Sequence, residues 1–205
     1  MTEVRSVLAL AAHPDDLELG CGATLAKLCE RGVAVHAAIF TEGQRGGHSG
    51  FDRALEAKTA LTQLGVSSVS QHTLPDTRLH ECLNELIACI EQHVQTVAPD
   101  RVYTMFHLDR HQDHRAVHEA SIVACRSVPQ ILGYETPSSY PNFTPTIFEP
   151  VDDFMAAKID AIRLHVSQSD RLYMNEEKVR SAAHFRGVQV DLGQVESFIP
   201  YKLVL

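Results

Sequence analysis

The chain has 205 residues, with 18 Lys and Arg against 26 Asp and Glu, for a formal net charge of −8. A composition of 44% hydrophobic and 21% charged residues belongs to a globular core and excludes a disordered chain. The acidic balance argues against a dedicated nucleic-acid binder, and no apolar run nears the ~18 residues of a membrane span, so a cytoplasmic protein is expected.

Residues 4–12 form a continuous apolar run with β-branched members, which reads as a buried strand. Residues 20–31 have helical spacing and stop at Gly32. The spacing then predicts a strand over 33–40, a helix over 51–64 and a short strand over 69–74. A helix over 81–97 carries Leu83, Leu86, Ile87 and Ile90 on one face and is ended by Pro99. A strand over 101–106, a helix over 113–125 and a strand over 131–135 follow. Strand and helix thus alternate, which predicts a single-domain, Rossmann-like α/β fold across 1–205, with a mostly parallel sheet and helices on both faces. Residues 136–150 hold four prolines and read as loop with a short strand over 146–148. Helices over 153–165 and 175–185 and a strand over 198–205 complete the chain. Five cysteines without a CxxC pair read as reduced thiols.

Open parallel sheets place ligands beyond the carboxyl ends of their strands. There, after the first strand, stands Ala12-His13-Pro14-Asp15-Asp16-Leu17-Glu18. Adjacent carboxylates repel, and a divalent cation relieves that repulsion. An imidazole with a carboxylate suits zinc or iron(II) better than magnesium. The competing dinucleotide reading of Gly20-Cys21-Gly22 fails, because Leu25 stands where a third glycine is needed and the acids would repel a pyrophosphate. After the fourth strand stands His107-Leu108-Asp109-Arg110-His111-Gln112-Asp113-His114, with His118 one turn on. If strands one and four are neighbours, His13, Asp16 and His114 meet as three ligands, the number typical of catalytic zinc. Asp15 is then free to take a proton from water. The polar stretch from Gly43 to Gly50 reads as a rim loop, since no Lys-Ser/Thr pair follows it.

These two motifs resemble the LmbE-like, or PIG-L-like, de-N-acetylases. The AHPDD(x)E signature is met by residues 12–18 and the HxDH signature by residues 111–114. Weaker similarity runs through Thr41-Glu42-Gly43, Arg53, Glu56, Pro75-Asp76, residues 158–168 and Arg186-Gly187. The resemblance implies a metal-dependent hydrolase that removes acetyl from an N-acetylated amino sugar or glycoside, with Zn(2+), or Fe(2+) in its place. It implies His13, Asp16 and His114 as ligands and Asp15 as general base. His111 becomes a cationic partner for the oxyanion or leaving amine, and Asp113 a support for His111 or His114. Asp76 becomes a contact for a substrate hydroxyl and Arg53 for a polar or anionic group. Tyr140 is a first choice for the tyrosine some members use at the oxyanion. A homo-oligomer is a further implication. Two other readings stay open: hydrolysis of a different amide or ester, and a non-catalytic zinc module closed by a fourth ligand such as His118.

Overall fold

A computed structural model of the chain describes residues 3–46 and 50–204. Gly47, His48 and Ser49 of the expected rim loop, and Leu205 of the expected last strand, lie outside them. Strand β1 (Ser6–Ala11) leads into α1 (Asp16–Glu30), followed by β2 (Ala34–Ile39), α2 (Arg53–Gln63) and β3 (Ser68–Gln71). Next come α3 (Leu83–Val97), β4 (Arg101–Met105), α4 (Gln112–Ala124) and β5 (Gln130–Tyr134). The chain ends with β6 (Ile147–Pro150), α5 (Met155–Arg163), α6 (Glu176–Val188) and β7 (Val195–Leu203). One seven-stranded sheet takes them in the order β3-β2-β1-β4-β5-β7-β6.

Strands β1 to β5 run parallel, and β7 pairs antiparallel with both β5 and β6. The α/β class and mostly parallel sheet agree with the sequence reading. Strand β1 is central, and Val7 to Ala11 are wholly buried, as expected for a parallel strand covered on both faces. The order reverses between β1 and β4, so the loops after these two strands diverge and leave a crevice at their carboxyl ends. Both histidine motifs stand there.

Two boundaries differ informatively. Helix α1 begins at Asp16 rather than Gly20, because Pro14 and Asp15 turn the chain directly off β1. Strand β7 begins at Val195 rather than Phe198, since Val195, Glu196 and Ser197 pair with β6. Among the described residues, no helix is long and apolar enough to cross a membrane.

Candidate metal centre

The site is built at the β1–α1 turn. Asp15 sits at φ 106, in the left-handed region that few side chains other than Asn and Asp tolerate. One residue on, Asp16 Oδ2 accepts the His13 N–H at 2.7 Å, which closes the turn. From β4 the chain passes His111, the N-cap of α4, and presents His114 on the first turn of that helix.

Three donor groups converge between these two loops. His13 Nδ1 lies 3.3 Å from His114 Nε2. Asp16 Oδ2 lies 3.5 Å from His13 Nδ1, and Asp16 Oδ1 lies 3.3 Å from His114 Nε2. Each imidazole turns its other nitrogen to a carboxylate. His13 Nε2 meets Asp113 Oδ2 at 3.2 Å and Asp76 Oδ1 at 3.4 Å. His114 Nδ1 meets Asp109 Oδ2 at 3.2 Å and Ser138 Oγ at 3.2 Å. A carboxylate on the far nitrogen fixes the tautomer and leaves the near nitrogen's lone pair for a metal.

Four buried carboxylates (Asp16, Asp76, Asp109 and Asp113) thus surround two imidazoles. Burial opposes charge on His13, but Asp113, Asp16 and Asp76 overcome it and hold its pKa well above the ordinary value. Burial is likewise overcome at His114, chiefly by Asp16, and its pKa rises to about 9. The pocket is built for positive charge at its centre. Two imidazole nitrogens and a carboxylate are the donor set that fits zinc or iron(II). Among the described residues, two groups bring one donor atom each within 4.8 Å of one another: His13, His111 and His114, and His13, Asp76 and Asp113. The second is the hydrogen-bonded array behind His13, where the carboxylates receive its N–H.

Asp15 lines the same cavity, of about 450 Å³. Burial and the neighbouring Asp16 charge push its pKa up to about 6, against the pull of Arg53. Arg53 is itself buried, and Nη2 reaches Asp15 Oδ2 at 3.1 Å and Pro14 O at 2.9 Å, while Nη1 reaches Gly43 O at 2.7 Å. Arg53, expected as a substrate contact, therefore braces Asp15 and its turn. Asp76 also lines the cavity, but Oδ1 faces His13 and Oδ2 accepts the Arg45 N–H at 2.7 Å.

Other expectations are corrected. The Asp113 carboxylate faces His13, not His111 or His114, and its oxygens also accept the N–H groups of Thr77 and Leu79. His111 Nδ1 accepts the Asp113 N–H at 3.2 Å, so that nitrogen carries no proton and the ring is neutral with its proton on Nε2. Burial, then His13 and His114, lower its pKa to about 4. These outweigh the charges of Asp113 and Asp16, which act in favour of the cationic form expected from the sequence. Tyr140 is half-exposed and does not line the cavity, whereas Tyr173 does. His118 packs against Tyr201 with ring centroids 4.6 Å apart, away from the His13 cluster. Asp109 escaped the sequence reading. Its position beside the second motif was visible, but its burial and its aim at His114 were not.

Residues 8–125 match the family described as PIG-L: GlcNAc-PI de-N-acetylase. The uncharacterized deacetylase YaiS of Escherichia coli K12 is 44% identical over 169 residues, 80% of this chain and 91% of that protein. The diacetylchitobiose deacetylase of Thermococcus kodakarensis is 29% identical over 192 residues, 81% of this chain and 71% of that protein. The 4-carboxy-2-hydroxymuconate hydratase GalB of Pseudomonas putida KT2440 superposes with a TM-score of 0.86 at 18% identity, covering 98% of each chain. That last likeness concerns the fold alone, which thus also carries a reaction other than deacetylation. The matched span holds both histidine motifs and all three converging donor groups, and with these similarities the chain belongs to the PIG-L family of de-N-acetylases.

Proposed function

We propose that this protein is a metal-dependent hydrolase that removes the acetyl group from an N-acetylated amino sugar or glycoside, giving acetate and a free amine. The observation that carries the reading is the convergence of His13 Nδ1, His114 Nε2 and the Asp16 carboxylate beside Asp15, at one end of one cavity. His13, Asp16 and His114 would hold a zinc ion or iron(II). When bound, such an ion supplies Lewis acidity and lowers the pKa of water.

The remaining chemistry belongs to the chain. Asp15 Oδ2 is committed to Arg53, so Oδ1 is the atom we assign to the proton of the attacking water. The neutral His111, with its proton on Nε2, donates a hydrogen bond to the developing oxyanion. Asp15, once protonated, returns the proton to the departing amine. Arg45, Arg110 and Arg171 stand around the cavity as donors for a hydroxyl-rich substrate. The proposal extends to a cytoplasmic location, with which five free thiols agree, and to a homo-oligomer.

The test is acetate release from N-acetylated chito-oligosaccharides, alongside simple N-acetyl amides and acetate esters. Activity on the sugars that chelation abolishes and zinc, iron(II) or cobalt restores is the expected result. Turnover confined to esters or non-sugar amides would replace the substrate assignment, and undiminished activity in the chelated protein would end the metal assignment.

A further inference from the structure

Helix α1 is broken one turn after it starts. Cys21 sits at φ −144 and ψ 15, outside the helical region. A helix break frees carbonyls before it and N–H groups after it, and here the surroundings are buried. Two side chains from far along the sequence take these groups. Lys158 Nζ, from α5, donates to Leu19 O at 2.8 Å. Glu196, from β7, accepts the Ala23 N–H on Oε1 at 3.1 Å and the Thr24 N–H on Oε2 at 2.6 Å. Lys158 Nζ and Glu196 Oε1 then close on each other at 2.6 Å.

Both residues are only 4% exposed. A buried ion pair costs stability unless its remaining hydrogen-bonding capacity is filled. Here the broken backbone fills it, and an unbroken α1 would offer neither the carbonyl nor the two N–H groups. The pair therefore belongs to the break. Ahead of the break lies little more than one turn, residues 16–20, with Asp16 as its first residue and Asp15 as its N-cap.

We propose that Lys158 and Glu196 are positioning residues, an ion pair wedged into α1 that sets the direction of its first turn and so delivers Asp16 to His13 and His114. This rests on the reading of Asp16 as a metal ligand.

The experiment measures zinc affinity of the full chain by competition with a chromophoric chelator, for Lys158→Met, Glu196→Gln and the double variant. Each is held well below its melting temperature and checked for fold by circular dichroism. A zinc affinity ~10–100-fold weaker in each single variant is expected, as for other residues that orient ligands. The double variant should be no worse than the poorer single, because the two act as one device. On a substrate the enzyme turns over, kcat should fall more than KM rises. Wild-type zinc affinity in both folded single variants, with only the melting temperature lowered, would overturn the proposal. If Glu196→Gln does not fold, Glu196→Asp keeps the charge, withdraws it by one methylene and gives the same readout. Asp16→Asn measured alongside separates the two failures. If it leaves zinc affinity intact, the metal reading falls and takes this one with it. If it alone weakens zinc, only the positioning role falls.

Discussion

Adjacent aspartates with different surroundings are the sharpest residue-scale feature of the site. Asp16 faces two imidazoles, while Asp15 faces Arg53. Asp15→Asn is expected to retain the metal and lose turnover by a factor on the order of 100 or more, the usual loss with a general base. Asp16→Asn should lose metal first. Metal content and kcat measured on both variants check this, and equal metal loss in the two would show that the duties are shared. Asp109 is expected to matter as much as Asp113, since each backs one imidazole. Asp109→Asn should weaken metal binding ~10–100-fold, and calorimetric titration returning the wild-type constant would remove Asp109 from the array. The sequence displayed His13, Asp15, Asp16 and His114 plainly, because they lie in two short motifs. It hid which carboxylate serves which imidazole, since Asp113 reaches His13 across 100 positions of sequence. Arg53 was visible as a cation near the site, but nothing in its neighbours revealed that it turns inward.

Among the elements, α1 carries the most consequence. Its start at Asp16 was obscured because Pro14 and Asp15 resemble a loop, and the left-handed backbone of Asp15 leaves no mark on hydrophobic periodicity. Just before the break, Gly20 lies against the buried ring of Tyr134, whose hydroxyl donates to Leu10 O at 2.8 Å. A Cβ at Gly20 would fall onto Tyr134 Cδ2 and within 2.7 Å of Cε2. That ring is wholly buried and has nowhere to go. Gly20→Ala is therefore expected to destabilise the fold by about 1–3 kcal/mol, despite alanine's better helix propensity. Urea denaturation checks it, and a variant as stable as wild type would mean that α1 can slide off the ring. Strands β1 to β5 and their helices were legible because each is a contiguous apolar pattern. Strands β6 and β7 were only partly so, because they belong to the antiparallel edge and their outer halves carry polar residues such as Glu149, Glu196 and Ser197.

For the whole molecule, buried neutral histidines couple stability to pH. Burial, and then the nearby His107, lower the pKa of His118 to about 4. In the unfolded chain the same side chain takes up its proton near the ordinary value of about 6.5. Between these values the unfolded state binds a proton that the folded state refuses, so stability falls as pH drops from about 6.5 towards 4. Allowing for its partial exposure, His118 should contribute on the order of 1–2 kcal/mol to that decline. His118→Leu is expected to lose less stability than wild type between pH 7 and pH 5 in denaturation followed by circular dichroism. Parallel losses in the two proteins would exclude His118 as the source. The sheet also orders events in time. Strand β7, which follows the other six in chain order, slots between β5 and β6 rather than adding to an edge, and it brings Glu196 to the first helix. A nascent chain that has emerged past His114 already contains His13, Asp16 and His114, yet the strand that braces Asp16's helix has not been made. If Lys158 and Glu196 position Asp16 as proposed, a chain halted before β7 should bind zinc no better than one that lacks Glu196.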